Sequence, residues 1–240
     1  MHYFMPARRS TTNLLQATGE LLVGESEEAP LPFAVLAPGA GLGDRAGTNP
    51  DWLLPLLRTI AEVGPDDAVF GFLPAVDLPE PSAQAMFGEA VQVFHDALMT
   101  AEGILVLVDD DPAGTAVVKR ALAWAALPED ESILEALPVV VLGVAGDTDA
   151  LATTVATIRA AVEAGGGDLI DVTGDTLAGP WDERIEAGGR VGDVPTRQAI
   201  GQATLRLRHA VDAWDESGDN DAAETPGLID QAVRASFGGR

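Results

Sequence analysis

Apolar and polar positions fall into two alternating patterns along the chain. Phe33–Ala37, Ala68–Leu73, Gly103–Val108, Pro138–Val144 and Leu169–Val172 are short apolar runs, rich in Val, Ile and Leu and without strict alternation. A strand wetted on one face alternates, so these runs predict strands buried on both faces. Helical spacing lies between them. Residues 83–101 place Met86, Ala90, Val93, Phe94 and Ala97 on one stripe, and residues 149–164 do the same with Leu151, Val155, Ile158 and Val162. Asn49-Pro50 reads as a helix start, an N-cap followed by proline, with Pro55 expected to kink or restart that helix. Gly165-Gly166-Gly167 ends the helix before the last strand. A final helix over roughly 194–214 carries Ala203, Leu207, Ala210, Val211 and Trp214 at 3–4 spacing.

Strand and helix alternate five times, which predicts an α/β fold with a parallel sheet. The most economical arrangement is a flavodoxin-like, doubly wound five-stranded parallel sheet with helices on both faces. Ligands then bind beyond the carboxyl ends of the central strands. That domain spans residues 31–214. Residues 1–30 form an N-terminal extension with a candidate helix, Thr12 to Val23, and an acidic linker bounded by proline. Residues 215–240 comprise an acidic linker, expected to be mobile, and a short amphipathic helix through Leu228, Ile229, Ala232, Val233 and Phe237.

Composition narrows the choice of partners. The 240 residues carry 14 Lys+Arg against 38 Asp+Glu, a net charge of −24, and Lys119 is the only lysine. Such a surface repels phosphate backbones and anionic lipid, which excludes generic nucleic-acid and membrane-surface binding. Hydrophobic residues make up 47% of the chain, enough for a real core. No apolar run approaches the ~18 residues of a membrane span. The opening Met1-His2-Tyr3-Phe4-Met5 is too short for a signal h-region, so a cytoplasmic protein is expected. The absence of cysteine excludes disulfides, thiol catalysis and cysteine-ligated metals.

Chemistry is expected in three loops. Ala37 to Asn49 is glycine-rich and follows the first strand; its backbone N–H groups, with Gly41, Arg45, Thr48 and Asn49, can cradle a phosphate or simply turn the chain. It is neither a Walker motif nor a complete dinucleotide fingerprint. Asp109-Asp110-Asp111 closes the third strand and reads as a solvated turn or, with Asp147, as a cation site. Gly143 to Thr148 follows the fourth strand, where Gly143 and Gly146 allow close approach of a ligand and Thr148 can cap the next helix. His2, His95 and His209 follow no strand and read as surface residues; no catalytic side chain and no metal site is assigned. Trp124 and Trp181 read as packing residues.

The stretch Ala101-Glu-Gly-Ile-Leu-Val-Leu-Val-Asp-Asp-Asp-Pro-Ala-Gly-Thr-Ala-Val-Val-Lys-Arg-Ala-Leu-Ala-Trp124 resembles a segment of the flavodoxin-like NAD(P)H-dependent FMN reductases. The family's pattern there is A-D-(G/A)-I-hydrophobic-P-x-Y-N-x-S-x-x-G-x-L-K-N-A-(L/I)-D-W. Ala40-Gly41-Leu42 through Thr48 resembles the family's A-G-L-S-x-P-S-S-T start, and Gly143 to Thr148 stands where the family has a GxxGG or TGGT loop. The similarity spans about residues 32–175. It implies FMN with its phosphate at 40–49 (Gly41, Arg45, Thr48, Asn49). The ring would lie against Asp109, Asp110, Asp111 and Gly114, flanked by Gly143, Gly146, Asp147 and Thr148. NAD(P)H is implied as co-substrate, and a homodimer or homotetramer as the assembly.

The departures concentrate at those positions. The family's Pro-x-Tyr-Asn is Val108-Asp109-Asp110-Asp111 in this chain, and the hydroxyls of the phosphate loop are mostly Gly and Ala. A carboxylate at about 10 Å opposes each unit of phosphate charge by roughly 1.7 kcal/mol at an effective dielectric of 20, before screening. Two expectations follow: an FMN reductase-like flavoprotein that passes hydride from nicotinamide to flavin, or a degenerate relative that works without flavin through oligomer or partner interfaces.

Overall fold

A computed structural model describes residues 30–39, 50–82, 84–127, 132–144, 146–172, 174–186 and 189–223. The expected helix at 12–23, the glycine-rich loop at 40–49 and the expected helix at 228–237 lie outside them. Among the described residues six parallel strands form one sheet: β1 (Leu31–Leu36), β2 (Ala68–Phe72), β3 (Gly103–Val108), β4 (Pro138–Val144), β5 (Asp168–Leu169) and β6 (Thr176–Leu177). The order is β2-β1-β3-β4-β5, with β6 also on β4. This is the flavodoxin-like order predicted from the alternation.

Among the described residues five α-helices cover the sheet: α1 (Leu53–Val63), α2 (Glu89–Leu98), α3 (Pro112–Ala125), α4 (Thr148–Ala164) and α5 (Val194–Ala223). Alternate residues of each strand face opposite layers. Ala34, Leu36, Ile104, Val106, Val108, Val139 and Val141 pack with α2, α3 and α4. Phe33, Val35, Leu105, Leu107, Val140, Leu142 and Val144 pack with α1 and α5. β3 and β4 are buried along their whole length, which is why their sequence shows no alternation.

Four expectations change. The fifth strand is only Asp168–Leu169, and the chain returns to β4 as β6. Gly174, at φ 78°, turns it back. The helix expected over 83–101 is interrupted: a 3₁₀ turn, Ala85–Phe87, ends at the extended Gly88 before α2 starts. α1 begins at Leu53, not beside Asn49, and Pro55 causes no break. It occupies the first turn, where a missing N–H costs nothing. α5 runs on to Ala223, into the stretch expected to be a mobile linker. Extending a helix that is already nucleated costs far less than starting one.

Candidate functional site

Strand order reverses between β1 and β3, so β1, β3 and β4 end side by side at the carboxyl edge of the sheet. Gly41, Arg45, Thr48 and Asn49 lie outside the described residues. The other expected site residues divide between the loop after β3 and the loop after β4.

The three consecutive aspartates point three ways. Asp109 turns inward and is buried. Its Oδ2 accepts from Trp52 Nε1 at 3.0 Å and its Oδ1 from the Asp111 N–H at 3.2 Å. Burial pushes its carboxyl above the ordinary range, partly offset by these two hydrogen bonds. Asp111 caps α3, accepting from the N–H groups of Ala113 and Gly114 at 3.2 and 3.1 Å, with Pro112 at the first helical position. Asp110 crosses to the next loop, where its Oδ2 accepts the Asp147 N–H at 2.9 Å.

The loop after β4 receives that carboxylate. Gly146 has φ 107°, a conformation that L side chains rarely adopt, and a Cβ there would collide with the Asp110 carboxylate. Its carbonyl accepts from Gly179 N at 3.0 Å, which ties the loop to the segment after β6. Asp147, rather than Thr148, caps α4, accepting from the N–H groups of Asp149 and Ala150 at 3.0 and 3.2 Å. Thr148 is exposed.

Two of the expected ligand-contact glycines have packing reasons. A Cβ on Gly143 would stand 2.6 Å from Val155 Cγ2 and 2.9 Å from Leu151 Cγ, so its bare face seats α4 on β4. A Cβ on Gly114 would stand 2.8 Å from Pro38 Cβ and 3.2 Å from Asp109 Oδ1, so α3 starts flush against the end of β1. Sequence reasoning missed Trp52, because nothing local marks an indole as the partner of a carboxylate 57 positions away. Trp124 packs as expected, fully buried, with Nε1 donating to the Pro79 carbonyl at 2.8 Å. Trp181 is also buried, two positions after Gly179, and its Nε1 finds no acceptor among the described residues. His95 leaves the surface role expected for it: its Nε2 donates to the Trp124 carbonyl at 2.9 Å, whereas His209 is exposed. No group of three potential metal-ligating residues forms among the described residues.

The donor set fits a flat group that bears hydrogen-bond acceptors. Gly146 offers a backbone surface without a side chain, and the Asp147 N–H points at whatever lies on it. In this chain that group is the carboxylate of Asp110. Neither α3 nor α4 offers a free cradle for phosphate, because Asp111 and Asp147 already accept from their first N–H groups.

No family model matches the chain, and no curated protein matches its sequence. Solved structures do match. FerB, a flavoenzyme NAD(P)H:(acceptor) oxidoreductase from Paracoccus denitrificans, gives a TM-score of 0.58 at 18% identity, over 78% of this chain and 98% of that one. The apo form of an NADH:FMN oxidoreductase (EMOB) gives 0.50 at 15% identity, over 74% and 90%. An oxidoreductase from Corynebacterium diphtheriae gives 0.49 at 13% identity, over 76% and 99%. The fold is one shared with flavin oxidoreductases. Among the described residues no helix is long and apolar enough to cross a membrane.

Proposed function

We propose that this chain is a flavin-dependent NAD(P)H oxidoreductase of the FMN reductase kind, with FMN at the carboxyl edge of the sheet. The observation that carries this reading is the Gly146 cradle with the Asp147 N–H aimed into it, beside the reversal of strand order. Bound FMN supplies the hydride chemistry; the protein supplies position and electrostatics. Gly146 receives the flat edge of the ring, and the Asp147 N–H donates to an acceptor on it. The phosphate is assigned to the loop containing Gly41, Arg45, Thr48 and Asn49, since the helix starts after β3 and β4 are taken. NAD(P)H is the co-substrate, and the assembly is a homodimer or homotetramer. No side chain is required as acid or base.

A second reading is favoured by one specific observation. Asp110, Asp111 and Asp147 together engage the backbone donors of both described loops, and the Trp52 indole is packed against Asp109. A domain with its edge filled in this way keeps the fold and works through its surfaces, without flavin. Flavin fluorescence separates the two. FMN is expected to be quenched on titration with a Kd of about 10 μM or tighter, and NADH or NADPH then to be oxidised by the complex. Unquenched fluorescence at millimolar protein, for the native chain and for Asp110→Ala alike, overturns the flavin reading and favours the second.

A further inference from the structure

We propose that Asp110 is an internal competitor for the ligand's place, a carboxylate that must leave the Gly146 cradle before a planar, acceptor-bearing heterocycle can occupy it. This inference rests on the flavin reading and specifies which residue limits affinity at that site.

The three aspartates differ in what they would lose by moving. Asp109 is held by burial and an indole, and Asp111 by two N–H groups of its own helix. Asp110 is exposed, has no cationic partner among the described residues, and holds a hydrogen bond to a loop 37 positions away. It is therefore the one carboxylate of the three that can swing into water without leaving a buried group unpaired. Its present position imitates a ligand. A carboxylate is flat and presents two acceptor oxygens, and this one lies on a glycine backbone with an N–H donating to it. The carbonyl-bearing edge of a flavin makes the same demands. The two cannot share the cradle, because a Cβ on Gly146 would already collide with the carboxylate.

Competition and simple charge repulsion make different predictions for two substitutions. Asp110→Ala removes both the charge and the occupant. Asp110→Asn removes the charge but keeps a flat acceptor that can still take the Asp147 N–H. FMN titration of the native chain and both variants, followed by flavin fluorescence, is the experiment. Asp110→Ala is expected to bind about tenfold more tightly than the native chain, with Asp110→Asn between them. Hydrogen exchange of the Asp147 amide gives a readout free of flavin. It is expected to quicken about tenfold in Asp110→Ala and to stay near the native rate in Asp110→Asn.

Equal Kd values for all three proteins overturn the competitor and leave the flavin reading intact. Equal gains for Ala and Asn also overturn it, because charge alone then explains the effect. Failure of all three to bind FMN overturns the flavin reading, and the competitor with it. Both substitutions are at an exposed position, and the Asn variant preserves shape if the Ala variant folds poorly.

Discussion

Where β1 and β3 end, Pro38, Trp52, Asp109 and Gly114 fill the carboxyl edge with buried atoms. Where β4 ends, the described residues cover the edge with the exposed carboxylate of Asp110 resting on Gly146. Both sides are closed, and both use an aspartate from the same three-residue run. The first closure is built from packing and a buried hydrogen bond, so opening it strands polar groups. The second is one solvent-facing hydrogen bond, so opening it costs little. A site that admits a ligand has to open on the second side.

The sharpest test of that contrast is Gly114→Val. Pro38 is a ring on a buried backbone and cannot withdraw as a flexible side chain would, and the new Cβ would meet it at 2.8 Å. Overpacking of this kind is expected to remove about 3 kcal/mol, measured as a fall in the urea midpoint at unchanged slope. A loss under about 1 kcal/mol would mean that the β1–β3 side yields as easily as the other.

Trp52→Phe tests the same side through its hydrogen bond. The indole gives way to a smaller phenyl ring with no N–H, leaving Asp109 Oδ2 buried without its donor. A loss of about 2 kcal/mol is expected near pH 7. It should shrink in acid, because protonating Asp109 removes the buried charge that needed the indole. Urea unfolding at pH 7 and pH 4.5 checks this, and a penalty that does not shrink would place the cost in ring packing alone.

The difference between the two sides was only partly legible in the sequence. The strands were, because β1, β3 and β4 are buried on both faces and carry unbroken apolar runs; the strand order followed from the alternation with helices. β5 was not, because most of 169–172 looks like a strand but only its start pairs with β4. The loops after β3 and β4 stand where the sequence placed them, but the directions of their side chains were not readable. Asp109, Asp110 and Asp111 are chemically identical neighbours, and their fates are decided by Trp52, by the Gly146 loop and by the start of α3. Gly143 reads in the sequence as room for a ligand because a glycine for close approach looks the same whether a ligand or a helix approaches; Gly114 enters only through the family resemblance.

The two helix caps sharpen the comparison at smaller scale. Asp111→Ala and Asp147→Ala each remove a carboxylate that accepts two N–H groups, and each is expected to cost about 1 kcal/mol by thermal or urea unfolding. The caps belong to different sides of the edge but do the same work, so similar losses are expected. A much larger loss for Asp147→Ala would show that the loop after β4 is more tightly built than its exposure suggests.

The smallest effect is also the one with a definite sign in pH. Asp109 has its carboxyl raised by burial, whereas Asp193, near the start of α5, has its carboxyl lowered, first by the Thr196 hydroxyl and then by the Thr196 N–H. A raised carboxyl contributes stability that is fully present below its unfolded value, about 3.9, and is lost as pH rises through its folded value. A lowered one contributes stability present above about 3.9 and lost as pH falls through its folded value. Relative to the native chain, Asp109→Asn is therefore expected to lose ground as the solution is acidified from neutrality. Asp193→Asn should regain it, and in a lower window, because its titration lies below the ordinary carboxylate range. Parallel unfolding curves from pH 7 down to pH 3 measure both. Slopes of the same sign would mean that Asp109 is as well solvated as Asp193, and the closed side of the edge would then be wet.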